Sequence, residues 1–313
     1  MGVSEMLVSV CICTCKRPSA LGYLLESLLR LQVPDGASLE FVIIDNDAQA
    51  GARPTAERFI PQFAWPVRYC VEPRPGVSQA RNRCLSEAGG QWIAFVDDDE
   101  WIEPDWLEQL LACARRDDAN VVIGPVLAAF TAEAPPWVTA SGVFTRRRLP
   151  TGTRLGWWDC ACGNALLSTD LARRVGGFDV GFGASGSEDT EFFSRCEAAG
   201  ARMVWCDEAI ATEGISPVRL TRQWVLARGV NGGRNYVRIV LRRRGLLAFP
   251  ALWLRGMLGL LGYGVLALYG RAVGRPATMR YEQHAAAGFG KMTPWAIRRT
   301  GLYGDAMQRK DSR

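Results

Sequence analysis

A single histidine, His284, stands among 313 residues, and no two of the ten cysteines form a CxxC pair. Those two absences remove the usual ligand sets of zinc sites. Cys11, Cys13 and Cys15 lie two apart, as do Cys160 and Cys162. On a strand the first three share one face, where they read as small buried hydrophobes of a reducing compartment. No repeat of 20–50 residues and no low-complexity tract occurs, which excludes solenoids, propellers and collagen-like chains. The N-terminal stretch lacks the basic opening and small-residue cleavage site of a secretory signal, so Met1–Cys15 reads as a first buried strand.

What is present is a large apolar share, 48%, with 22% charged residues. That is enough to bury a sizeable core and excludes wholesale disorder. The net charge of +5 hides a split. Residues 1–213 hold 19 basic and 29 acidic residues, whereas residues 214–313 hold 18 basic and 3 acidic ones. Two jobs in one chain follow from such asymmetry.

Along the front, apolar runs of strand length alternate with segments of helical period. Leu7–Cys13 is continuous and apolar, as a strand covered on both faces must be. Pro18 opens a helix whose Leu21, Leu24, Leu25, Leu28 and Leu29 recur at helical spacing. Leu39–Ile44, Val67–Val71, Trp92–Val96 and Val121–Ile123 are further strands. Ser78 is the expected N-cap of a helix reaching Ala88, and Pro104–Arg116 is the next helix. Residues 126–160 read as irregular; a strand at Leu166–Ser168, helices at Thr169–Val175 and Glu188–Ala199, and a strand at Met203–Cys206 follow. The pattern predicts an α/β fold with a mostly parallel sheet and helices on both faces. Ligands of such sheets bind beyond the carboxyl ends of the strands. Three of those ends are polar: Thr14-Cys15-Lys16-Arg17, Asp45-Asn46-Asp47 and Asp97-Asp98-Asp99.

Three adjacent aspartates and Glu100 repel one another unless a cation or hydrogen-bond donors compensate. Hard oxygen ligands suit Mg²⁺ or Mn²⁺ bridged to phosphates, although a solvated acidic turn fits the same residues. Asp45 can accept hydrogen bonds from a base or ribose. Arg81 sits on a helix that can present it to the same crevice or to solvent. Glu188-Asp189 opens a helix, where acids also complement the helix dipole. Gly181–Gly186 fits G-x-G-x-x-G, but the segment before it is turn-like, so dinucleotide binding is not expected. Trp157 and Trp158 suit sugar stacking and core packing equally.

Taken in order, Val8–Arg17, Val42–Asn46, Gly76–Asn82, Phe95–Asp99, Gly163-Asn164, Gly177–Asp179 and Ser187–Asp189 resemble the motifs of family 2 glycosyltransferases with the GT-A fold. The resemblance covers about residues 7–240 and is greatest to bacterial enzymes of exopolysaccharide synthesis. It implies a 1–213 GT-A catalytic domain, with a nucleotide-binding half at 1–125 and an acceptor-binding half at 126–213. Thr14, Arg17, Asp45, Arg81, Asp97 and Asp98 would hold a nucleotide-sugar donor, UDP being the nucleotide expected from family frequency. Asp97 and Asp99, the ends of an Asp-x-Asp motif, would bind a divalent cation. Asp189, with Glu188 as competitor, would be the base of an inverting displacement. A retaining transferase, a nucleotidyltransferase and a non-catalytic sugar-binding protein remain as alternatives. The metal-shell histidine of many relatives is absent at Ala211–Gly214; either Glu213 substitutes for it, or the cation relies on Asp99 and the diphosphate alone.

The rear, residues 214–313, is expected to be helical and membrane-associating. Arg219–Arg244 has eight arginines and no acid, and Leu246–Gly270 then runs 25 residues with Arg255 as its one charge. That length can span a bilayer, and a re-entrant or interfacial arrangement fits it too. Arginines beside an apolar stretch, without a nucleic-acid motif, point to an anionic membrane surface and not to nucleic acid. The expected location is the cytoplasmic face of a bacterial inner membrane, and the expected acceptor a lipid-linked saccharide.

Overall fold

The computed structural model describes residues 6–183, 186–275 and 277–296. In chain order the first elements are β1 (Met6–Thr14), α1 (Pro18–Leu28), β2 (Ala37–Asp45), α2 (Arg53–Phe59), β3 (Val67–Val71), α3 (Val77–Glu87) and β4 (Trp92–Asp97). Then come β5 (Glu100–Ile102), α4 (Trp106–Arg116), β6 (Val121–Ile123), β7 (Val126–Phe130), α5 (Pro136–Ser141), β8 (Asn164–Ser168) and α6 (Thr169–Arg174). The rest are α7 (Glu188–Ala198), β9 (Met203–Trp205), β10 (Ala211–Ile215), α8 (Arg222–Arg244), α9 (Phe249–Ala272) and α10 (Thr278–Met292). The chain divides into two compact units, one of residues 6–127, 146–183 and 188–214, the other of 128–145, 186–187 and 215–296.

The first unit is built on a seven-stranded sheet of order β3-β2-β1-β4-β8-β6-β9. Strands β3, β2, β1 and β4 are parallel; β8 runs antiparallel to β4 and β6; β9 is parallel to β6. The sheet is therefore mostly parallel, with β8 the exception. Val8, Val10 and Ile12 of β1 pack in one core with Leu21, Leu24, Leu25 and Leu28 of α1 and with Trp106, Leu107, Leu110 and Leu111 of α4. The leucine spacing read from the sequence is thus the buried stripe of α1, and Pro18 stands in its first turn.

Local geometry moves two expected boundaries. Helix α3 starts from Gly76, whose φ of +125° no side-chain-bearing residue adopts readily. Ser78 is consequently inside the helix and not its cap, and its hydroxyl donates to the Asp179 carbonyl at 3.0 Å. Helix α4 starts at Trp106, two residues after Pro104. Strands β5, β7 and β10 had no local signal. Strands β5 and β10 pair antiparallel, with Glu213 opposite Glu100.

Asn164 clamps three segments of this unit. Its Nδ2 donates to the carbonyls of Pro125 (2.9 Å) and Ala209 (2.7 Å), and its Oδ1 accepts from Trp106 Nε1 at 2.7 Å. Each buried partner left unpaired costs about 1–3 kcal/mol, so Asn164→Ala should remove about 3 kcal/mol or more of unfolding free energy. Guanidinium denaturation checks this; a loss below about 1 kcal/mol would contradict the clamp.

Candidate active site

The register aligns the polar strand ends. β1 lies between β2 and β4, and it pairs Thr14 with Asp45 and Cys13 with Asp97. The residues following three apolar strands therefore emerge side by side. Thr14 Oγ1 donates to Asp98 at 2.7 Å, and both residues are buried. Arg17 reaches Asp98 and Asp99 at 2.6 Å each. Burial pushes the Asp98 carboxyl up to about 7, against the pull of Arg17. Lys16 is exposed in the turn after β1, with a φ of +55°.

Arg81 is the centre of a second cluster. Its side chain is only 6% exposed and makes ion pairs with Glu188 and with Asp97, the latter at 3.2 Å. Burial opposes its charge, and Cys162, Glu188, Asp97 and Asp189 more than compensate. Glu188 opens α7 and is buried. Burial lifts its carboxyl to about 7, Arg81 pulls it back, and Asp189 adds to the rise. Asp189 is half-buried, and its Oδ1 accepts from the Thr190 backbone N–H at 2.6 Å and from the Thr190 hydroxyl. Cys162 is buried beside the same groups; burial pushes its thiol well up, Arg81 counteracts, and Asp189, Glu188 and Asp97 add to the rise. Asp97, Glu188 and Asp189, about ninety residues apart in the sequence, thus act on one guanidinium and one thiol.

Asp45 is placed differently. It is buried and accepts from the backbone N–H groups of Asp47 (3.1 Å) and Ala52 (3.0 Å) and from the Tyr69 hydroxyl (2.6 Å). Those bonds hold the loop after β2. Asn46 ties that loop to the next one, accepting from the Gly76 N–H and donating to the carbonyls of Glu72 and Arg74. A cavity of about 220 Å³ in this unit is lined by Arg146, Asp159, Asn164 and Trp205 among others. Arg146 of this lining binds Glu213 at 2.7 Å, and the carbonyl of Gly163, next to Asn164 in the chain, accepts from the Asp97 N–H. Trp157 is buried, and its neighbour Trp158 is 62% exposed. The middle of the Gly181–Gly186 loop, residues 184–185, lies outside the described residues.

Cys162 and Arg146 are the members that sequence reasoning missed, and Glu100 was read only as part of the acidic run. Glu100 follows the aspartates and is 2% exposed. Burial, together with Asp97 and Glu213, raises its carboxyl well above the ordinary range. Only the β5–β10 pairing, invisible in local sequence, brings Glu213 to it. The Gly214 N–H also bonds the Asp99 carbonyl at 2.8 Å, so the segment that lacks the expected histidine does reach the acidic turn.

Among the described residues, no group of three or more His, Cys, Asp and Glu is arranged to hold a metal ion. The donors that remain, Asp97 and Asp99, are hard carboxylates. Arg17 already places a positive charge on Asp99. A Cβ at Gly163 would come within 2.6 Å of Glu100 and 3.1 Å of Asp97, so this glycine keeps space at the carboxylates. The donor set fits Mg²⁺ or Mn²⁺ that takes further oxygens from a diphosphate.

Residues 9–176 match the family described as glycosyl transferase family 2, and residues 144–214 match the N-terminal domain of galactosyltransferase. The chain is 33% identical to the succinoglycan biosynthesis protein ExoM of Rhizobium meliloti (strain 1021), over 75% of this chain and 76% of the relative. It superposes on the mannosyltransferase PcManGT from Pyrobaculum calidifontis in complex with GDP-Man and Mn2+, with a TM-score of 0.62 and 18% identity, covering 92% of this chain and 86% of the other. TarS 1-349 of S. aureus in complex with UDP-GlcNAc gives a TM-score of 0.53 and 16% identity, covering 91% and 90%. At these identities the two structures establish the fold.

The Glu188 carboxyl carries a sign for stability. An unfolded chain releases this proton near 4.5, the folded protein near 7. The contribution is full below 4.5 and is lost as pH rises through 7. Glu188→Gln should therefore flatten the decline in Tm across that window, read by thermal melts at several pH values. An unchanged slope would contradict the burial of a titrating Glu188.

Proposed function

Because this chain belongs to glycosyl transferase family 2, we propose that it moves a sugar from a nucleotide-diphosphate donor, UDP-linked, to a lipid-linked saccharide in exopolysaccharide or cell-surface glycan synthesis. The observation that carries the reading is buried Arg81, which ties the strand-end Asp97 to the Glu188-Asp189 helix start. Donor-side and base-side carboxylates so become neighbours.

The chemistry follows as one in-line displacement. The acceptor hydroxyl oxygen attacks the anomeric carbon while the bond from that carbon to the diphosphate oxygen breaks. The leaving nucleoside diphosphate takes the electron pair. Asp189 takes the hydroxyl proton, and the sugar configuration inverts. The proton moves because the hydroxyl becomes acidic as the new bond forms. Asp97 and Asp99 are the residues that would hold a divalent cation, which when bound neutralises charge on the departing diphosphate. Thr14, Asp45 and Asp98 are already bonded inside the protein, and they act as the frame beneath the nucleoside. Arg17 lies over Asp98 and Asp99 and contributes positive charge at the phosphate end.

In this reading, the unit of residues 6–127, 146–183 and 188–214 performs the transfer. The arginine-rich unit attaches the chain to the cytoplasmic face of a bacterial inner membrane, where lipid-linked acceptors reside. Its charge supports this: among residues 215–296 there are 13 arginines and lysines and one acid, Glu282. Helix α9 with its lead-in, Leu246–Ala272, is long and apolar enough to cross a bilayer by length and composition.

Asp189→Asn should lower the transfer rate by about 10²–10⁴-fold, the range of a lost general base, while donor affinity changes little. Turnover of UDP-sugars with Mn²⁺, donor titration calorimetry and NMR of the product anomer check this. An unaffected rate, or a product that keeps the donor's configuration, would contradict the assignment.

A further inference from the structure

Length and composition leave the pose of α9 open, since 24 residues at about 1.5 Å each exceed the roughly 30 Å of a hydrocarbon core. Its packing decides. One narrow stripe of α9 is buried, through Leu252, Gly256, Ala267 and Gly270, and it lies against α10. A Cβ at Gly256 would meet the Gly288 carbonyl at 2.8 Å, and one at Gly270 would meet Thr278 Oγ1 at 2.8 Å. Between these points the Tyr263 ring stacks on His284 with centroids 4.8 Å apart. The two helices are thus antiparallel and in contact along most of α10.

Helix α10 cannot follow α9 into hydrocarbon. It carries Arg280, Glu282, His284 and Lys291 within four turns. Glu282 is buried in ion pairs with Arg271 and with Arg222 of α8. The other side of α10 is pressed on α8, where a Cβ at Gly233 would meet the Ala287 carbonyl at 2.1 Å and one at Gly229 the Gln283 carbonyl at 2.7 Å. A crossing α9 would pull these charges into lipid, which is costly, or would strip a close glycine seam.

The face of α9 opposite that seam is apolar throughout. Leu254, Leu258, Leu261, Val265, Leu268 and Tyr269 lie 48–65% exposed. At about 100° per residue, Arg255 and Arg271 fall to either side of this face; Arg271 is held on Glu282, and the long side chain of Arg255 can lift its charge to headgroups. Arg242, Arg243 and Arg244, all exposed, end α8 just before it.

Resting on the membrane attachment proposed above, we infer that α9 lies flat within one leaflet of an anionic bilayer, with α10 and α8 above it on the water side. The exposed leucine face enters the acyl region by about 5–10 Å, as in-plane helices do. The chain is then monotopic, and both ends of α9 stay on one side.

The test places a genetically encoded nitroxide at Leu254, Leu261 or Leu268 of the full chain. Each protein is bound to vesicles of phosphatidylcholine and phosphatidylglycerol, and depth is read by oxygen and Ni(II) collisional relaxation. The three labels should report one depth within a few ångströms. Depths of Leu254 and Leu268 differing by about 20 Å, the axial rise of fourteen residues, would overturn the flat pose while leaving membrane attachment standing. Three water-exposed labels, or failure to float with the vesicles, would overturn the attachment and the pose together. As a second measurement, Leu261→Glu with Val265→Glu should abolish flotation and leave donor hydrolysis in solution within two-fold. Retained flotation would count against this face as the contact.

Discussion

The Arg81 guanidinium is the constraint on which the site depends. A buried cation costs on the order of several kcal/mol in lost hydration, and that cost is met only where acids surround it. Asp97 and Glu188 do so directly, and Asp189 adds its field. The pairing is therefore poor as a source of stability and effective as a locating device. It fixes the end of β4 against the start of α7, two segments that no local rule joins.

The sheet supplies the other half of that placement. Strand β1 sits between β2 and β4, with Thr14 opposite Asp45 and Cys13 opposite Asp97, so the three strand ends lie side by side. The frame residues spend their polar atoms on one another: Thr14 on Asp98, Asp45 on the loop to Ala52 and on Tyr69. Asp97 and Asp99 stay more open to solvent than Asp45 and Asp98, with side chains 43% and 13% exposed. In the other unit, glycines do comparable work by letting helices approach backbone to backbone. α10 is gripped on two sides, and the apolar face of α9 is left outward.

Much of this is legible in the sequence alone. Apolar strands that stop at polar residues gave β1, β2 and β4 with their site ends, and leucine spacing gave α1. The ordered motifs gave the family. Pairing between distant segments was not legible. Arg81 reads equally as a surface arginine until α7 is placed on it. The Glu100–Glu213 pair exists only through the β5–β10 ladder. Ser78 has the chemistry of a cap, but Gly76 owns the only backbone angle that starts the helix there. Asp45 stands at the end of β2 as read, and its bonds to the following loop and to Tyr69 show only in the structure. Asn164 belongs to a motif and proves to be a clamp on two loops and the start of α4.

A double-mutant cycle probes the central claim most directly. Asp97→Asn and Glu188→Gln are measured singly and together for kcat/KM of sugar transfer, in the native background and in Arg81→Met. If Arg81 makes one electrostatic unit of the two carboxylates, their effects are coupled by about 0.5 kcal/mol or more in the native background and become additive once Arg81 is gone. Additive effects with Arg81 in place would contradict the account.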